Sequence, residues 1–356
     1  MLKISKKIST IDENISNDKY VKKNYYGLSI LKSILALSVI KSHCFNKTST
    51  KNKLLLRITS SRRIHVPSFV IMSFYFTHKT LTCPDIKVKY RRFERLAIPY
   101  VGWPFIYFVM NNILYYLGKI NYRCSLKNLI YQIIIAQSNN MPFHFWFLLD
   151  LFIINFLFLL IIMIMKFHYL LLFQLLLITS YFLQYSELNR KLFFKANQKN
   201  FIGRLFELIP FAVTGFILFE FNIINRLQNY KLNTFIFSLL LYNLVSYYRV
   251  FSDFQGIVYH GIKLNTLSLC IVFIFSLCTF ENIKNKYILN IIKSFTNYTG
   301  GIFYLHQIIH DYLNDIINDI KKGTFFSLFL IYFFTYLVCF FGTLISGKTK
   351  AKFLFT

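Results

Sequence analysis

Lys32 and His43 stand eleven residues apart in the first long apolar run of the chain, LKSILALSVIKSH (residues 31–43). At about 100° per residue, eleven steps close three helical turns plus about 20°. On a helix the two side chains therefore share one face, about 16 Å apart along the axis, half the depth of a hydrocarbon core. One polar groove could hold both. An imidazole with a reference pKa near 6.5 is available in its neutral form at pH 7 to accept a proton. A lysine within a membrane span costs about 3 kcal/mol on insertion scales, so Lys32 needs a reason to be there. Snorkelling to the surface explains Lys41 easily, and a same-face pair less well.

Four further stretches carry chemistry. KVKYRRFERLAIPY (residues 87–100) gathers Lys87, Lys89, Arg91, Arg92 and Arg95 ahead of an apolar run. Such a cluster is either a topology signal or an anion site, because arginine forks match phosphate oxygens. In PFHFWFLLDL (residues 142–151), His144 and Trp146 precede Asp150, a carboxylate inside an apolar run. Glu207 in RLFELIPFAVTGFIL is a second such acid, and both are expected to partner buried cations. His306 and His310 in GGIFYLHQIIHDYL share a helix face, but without an HExxH-type context no metal site is expected.

These residues need a scaffold, and the composition names its class. Of 356 residues, 55% are hydrophobic and only 15% charged. A typical soluble domain carries about 25% charged residues. The apolar residues fall in ten runs, at about 28–46, 66–82, 96–117, 145–165, 168–185, 204–221, 233–250, 262–280, 298–318 and 325–345. These lengths are close to that of a membrane-spanning helix. The expected fold is all-α: a polytopic membrane protein with about ten transmembrane helices in one bundle. Residues 1–27 read as a basic cytoplasmic tail, 28–345 as one transmembrane domain, and 346–356 as a basic cytoplasmic C-terminus. No cleavable leader is expected, because residues 1–27 are polar. The net charge of +27 sits in the segments between apolar runs, where it meets lipid head groups. Nucleic-acid binding is therefore not expected. Lys and Arg divide almost evenly between the two sets of loops, so charge alone does not orient the chain. Six scattered cysteines without a CxxC pair signal neither zinc nor a disulfide framework.

Taken in order, these pieces resemble the acyltransferase-3 family of integral membrane O-acyltransferases, over roughly residues 25–345. The series runs from Lys32, ten residues, then His43, through VPSFVIMSFYF (66–76), YRRFERLAIPY (90–100), HFWFLLDL (144–151) and GFIL (215–218) to YTGGIFYLHQ (298–307). Lys32 stands where the family usually has Arg, which keeps the charge and loses the fork. Ser73-Phe74 stands where the family has Ser-Gly, which calls a close backbone approach at that point into question.

The resemblance implies a ten-helix enzyme with both termini cytoplasmic, placed in the plasma (inner) membrane. It would take an acyl group, most often acetyl, from cytoplasmic acyl-CoA and pass it to a sugar hydroxyl on a surface glycan or its lipid-linked precursor. No metal is implied. Within that frame His43 is the candidate general base or transient acyl carrier. Lys32 is the candidate partner for a phosphate or pantetheine oxygen, or for developing charge. Lys87, Lys89, Arg91, Arg92 and Arg95 are candidates for the CoA phosphates, and His144 and His306 for the lining of the same cavity. The competing class is a transporter or flippase of lipid-linked sugars. Carriers often show half-repeats or Gly/Pro-broken helices; no repeat is visible here and only 12 glycines occur. A glycan polymerase and an inactive family member are further alternatives.

Overall fold

A computed structural model of the chain describes residues 26–44, 64–118, 123–135, 145–166, 168–185, 201–251, 261–277, 286–316 and 325–356. Among the described residues there are thirteen α-helices and no strand. They are α1 Tyr26–Cys44, α2 His65–Thr82, α3 Ile86–Tyr116, α4 Leu126–Ile135, α5 Phe145–Met165, α6 Tyr169–Tyr185, α7 Phe201–Glu220, α8 Ile223–Leu227, α9 Lys231–Phe251, α10 Gly261–Leu277, α11 Lys286–Asn297, α12 Thr299–Ile316 and α13 Phe325–Ser346. Each of the ten apolar runs falls on a helix, and the chain is an all-α membrane protein. Among the described residues Phe147–Met165 and Phe326–Ser346 are each long and apolar enough to cross a membrane. Gly203–Glu220 and Ile223–Ser246 form a further pair that meets at 62°, at a turn where Asn222 takes a left-handed conformation with φ of 50°.

Helix α3 is longer than its apolar run. It spans 31 residues because the basic segment before the run is helical too. Asp85 caps it, its side chain accepting from the Lys87 N–H at 2.8 Å. Lys, Arg and Glu are good helix formers, so nothing in KVKYRRFERL breaks the turn. The basic residues thus keep fixed angular positions around one cylinder.

Helix α2 is the hub. It packs on α1, α3, α5, α7 and α10. Its tightest neighbour is α7, and the two run side by side in the same direction. Ile71 meets Gly215, Tyr75 meets Phe219 at 5.2 Å between ring centroids, and His78 meets Glu220. A Cβ on Gly215 would lie closer than 3 Å to the Ile71 backbone, including its carbonyl oxygen. In a membrane, where apolar side chains gain nothing by leaving lipid tails, such small-residue contacts are what hold helices together. The glycine of the GFIL stretch therefore serves a backbone-to-backbone contact. Position 74 is arranged otherwise. Phe74 is fully buried and its ring packs on Phe158 at 4.9 Å. Phe158 continues to Phe173 at 4.4 Å and Phe216 at 5.7 Å, an aromatic cluster joining α2, α5, α6 and α7. At this point a side chain fills the space, and the close approach lies at Ile71–Gly215.

Substituting Gly215 by Ala should destabilise the bundle by about 1–3 kcal/mol, since the added methyl meets backbone and not a movable side chain. The check is thermal unfolding of the purified protein in detergent; an unchanged melting temperature would show that α2 and α7 part freely.

Candidate functional site

The convergence of greatest chemical interest lies on the side of α2 that meets α1, α3 and α12. Lys32 of α1 places Nζ 4.6 Å from the centroid of the Phe76 ring of α2, a cation–π contact. Arg92 of α3 donates from Nη2 to Ser73 Oγ of α2 at 2.7 Å. Lys32 and Arg92 lie within electrostatic reach of each other, and the Tyr304 hydroxyl of α12 lies within reach of Arg92. Among the described residues neither cation has a carboxylate partner. The Arg92 Nε is buried without a hydrogen-bond acceptor. Two like charges drawn together inside a bundle, with donors unspent, are the arrangement an anionic group would complete.

The five cations of the basic segment do not act as one group. Helical phase separates them: Arg92 turns inward, while Lys87, Arg91 and Arg95 are exposed and Lys89 is half-buried. Arg95 lies 5.5 Å from the Phe353 ring, part of the segment that follows α13. In that same segment Lys350 pairs with Glu94. The Glu94 carboxylate holds the exposed Lys350 ammonium above its ordinary value, so this surface pair persists through the neutral range.

His306 of α12 is fully buried. Its Nδ1 donates to the backbone carbonyls of Phe303 at 2.8 Å and Ile302 at 3.2 Å, which fixes the proton on Nδ1. It sits two residues along α12 from Tyr304, on a different face of the helix. His43 is helical, in the last turn of α1, but its side chain lies outside the described residues; His144 and the Trp146 side chain also lie outside them. The same-face placement of Lys32 and His43 on α1 follows from the continuous helix Tyr26–Cys44.

Two polar clusters sit elsewhere. Asp150 of α5 is fully buried and accepts from Arg204 Nε of α7 at 3.2 Å. Glu207 is buried one turn further along α7. The expectation that Asp150 partners a buried cation is thus met by Arg204, a residue the sequence reading passed over although it stands three before Glu207. The other cluster joins His78 of α2, Glu220 of α7 and Tyr169 of α6. Glu220 pairs with His78 Nε2 and accepts from the Tyr169 hydroxyl at 3.0 Å. The imidazole stacks on Phe219 with centroids 4.6 Å apart. The signal was present in part, as an acid closing GFILFE and a histidine inside the second apolar run.

Arg204→Met should cost about 3–5 kcal/mol, because it strands a fully buried carboxylate. Asp150→Asn strands the buried Arg204 guanidinium in the same way and should cost a comparable amount, whereas the double substitution, which removes both charges, should cost clearly less than the sum of the two. Thermal unfolding of the three variants in detergent checks this; additive losses would mean that packing and not the ion pair sets the cost.

Among known proteins, residues 25–345 match the acyltransferase-3 family model, described as an acyltransferase domain. No curated protein and no solved structure matches the chain. The match covers essentially the whole membrane bundle, including α1 with Lys32, the basic turn of α3 and the Tyr304 turn of α12. The chain belongs to the acyltransferase-3 family, a membrane acyltransferase family.

Proposed function

We propose that the protein moves an acyl group, acetyl in the first instance, from acyl-CoA to a hydroxyl of a cell-surface carbohydrate or lipid-linked glycan, with its N-terminus on the cytoplasmic side of the plasma (inner) membrane. The observation that carries the reading is the pair of inward cations, Lys32 and Arg92, held by Ser73 and Phe76 and left without a carboxylate among the described residues. A thioester donor with phosphates on its handle is the anionic partner such a pair suits. The basic turn of α3 would then face the compartment that holds acyl-CoA.

In this reading the acceptor oxygen attacks the thioester carbonyl. The new C–O bond forms as the C–S bond breaks. The hydroxyl proton passes to His43, from which it can reach the departing thiolate, so CoA leaves as the thiol. Lys32 and Arg92 hold the donor through its phosphates or pantetheine oxygens, and donors so placed also oppose the charge that develops on the carbonyl oxygen. Lys87, Lys89, Arg91 and Arg95 draw the polyanion to the mouth of the site and His144 lines its interior, while His306, fully buried on another face of α12, backs the wall. No metal enters the scheme. Lys32 loses nothing by lacking the fork if its task is charge, since an ammonium above an aromatic ring is held in place by the ring.

The test uses purified protein in nanodiscs with acetyl-CoA and a crude surface-glycan acceptor, reading free CoA. His43→Ala should lower turnover by about 10² to 10⁴ while acyl-CoA still binds. Lys32→Arg should retain activity and Lys32→Ala should lose most of it. CoA release that persists unchanged in His43→Ala would remove His43 from the mechanism. Folded wild-type protein that neither binds nor turns over any acyl-CoA would favour a carrier of anionic lipid-linked sugars, which could use the same two cations.

A further inference from the structure

The segment after α13, residues 347–356, folds back over the bundle as a strap. Lys350–Leu354 forms a short 3-10 turn. Among the described residues α3 packs closely on α2, α4 and α5, and the strap, not a helix face, carries it across to α12 and α13. Four glycines on these three helices make the seat. A Cβ on Gly102 of α3 would strike the Leu354 side chain. One on Gly300 or Gly301 of α12 would strike the Thr356 or Phe355 backbone, and one on Gly342 of α13 would strike the Phe355 ring, each closer than 3 Å. The Leu354 carbonyl accepts from Trp103 Nε1 at 3.0 Å, and Phe355 meets the Trp103 ring edge-on at 5.7 Å. The apolar tip of the strap thus fills a gap that the helices leave open.

Two observations place that tip inside the candidate site and not beside it. The first is helical phase. Arg92 and Trp103 stand eleven residues apart on α3, the interval that separates Lys32 from His43 on α1, so each pair shares a helix face. Lys32 near the start of α1 meets Phe76 near the end of α2, and α3 follows α2 after three residues, so α1 and α3 both run against α2. A strap held at the Trp103 indole, which is 3% exposed, therefore lies inward of Arg92, on the way from the cation pair to the depth of His43. The second is contact. The point where a Gly300 Cβ would meet the Thr356 backbone is also 3.8 Å from the Tyr304 ring, and Tyr304 lies within reach of Arg92. Beneath the tip, Cys339 of α13 is fully buried, and its Sγ and the Phe355 carbonyl flank the same Gly301. The outer end is fastened by the exposed Lys350 on Glu94, and a pair of that kind contributes little. The strap can therefore leave without unwinding a helix.

We propose that the strap is an autoinhibitory stopper: seated, its Leu354–Phe355 tip closes the passage between α3 and the α12–α13 pair, and the donor gains the inner site only when the tip lifts out of the glycine seat. This goes beyond the acyl-transfer reading and rests on it for the identity of what is kept out. Seated strap and fully entered donor exclude each other. The apparent affinity for the donor is then reduced by the fraction of time that the strap is out.

The test uses nanodiscs of neutral lipid. It compares wild type with the double substitution Leu354→Asp, Phe355→Asp, which sets two charges against the apolar seat, and with a chain lacking residues 347–356. Cys339 reports on the seat. Its labelling by a small charged methanethiosulfonate, located by mass spectrometry, should be about tenfold faster in both variants than in wild type. Trp103 emission, followed in a Trp146→Phe background, should shift to the red in both. Acetyl-CoA should bind both about tenfold more tightly, with KM lowered and kcat unchanged, because the stopper taxes entry and not chemistry. Faster labelling with unchanged acetyl-CoA affinity overturns the stopper and leaves acyl transfer standing. Equal labelling of Cys339 in all three chains, fast or slow, overturns it too, since the strap would then close nothing. Weaker binding in both variants with a lowered melting temperature makes the strap a brace and overturns its inhibitory role. If no chain binds acetyl-CoA, the acyl-CoA reading falls and the stopper with it.

Discussion

Everything near the candidate site follows from one unfavourable placement: two positive charges, Lys32 and Arg92, held on the inside of a helical bundle with no acid among the described residues to neutralise them. Left to itself such a pair repels and prefers water. The fold holds it by partial measures, an aromatic face for one cation and a hydroxyl for the other. Elsewhere the same bundle neutralises its buried charges directly, Arg204 with Asp150 and His78 with Glu220. The contrast between paired and unpaired charge sets the Lys32–Arg92 region apart from the other two, which are internal fastenings.

Much of this was legible in the sequence, and the remainder was not for definite reasons. Hydropathy located every long helix, because a run of lipid-facing residues needs no partner to be recognised. That Lys32 and His43 share a face followed from helical phase within one segment; that Lys32 lies over the Phe76 ring did not. Arg92 could not be distinguished from its neighbours, since five cations in nine residues read alike until the segment is known to be helical and until Ser73, nineteen positions earlier, is known to lie opposite. Glu220 and His78 are 142 residues apart, and no local pattern links them. The departure at Ser73-Phe74 pointed to a real difference, but only packing shows that Phe158 fills the space and that the close contact is made at Gly215. The strap was read as a basic tail; its glycine seat is contributed by α3, α12 and α13, which sequence alone does not bring together.

The union of α2 with α7 has a mechanical consequence. Backbone lies on backbone at Ile71 and Gly215, and the His78–Glu220 pair fastens the same two helices two turns further along. Two rods joined at two points can neither slide nor scissor, so they move as one rigid body. Any opening that admits a substrate must therefore be hinged elsewhere. The left-handed Asn222, where α7 ends and the chain bends by 62°, lies immediately beyond the fastened end. At that turn the α2–α7 body hands over to α9, which packs on α10 instead.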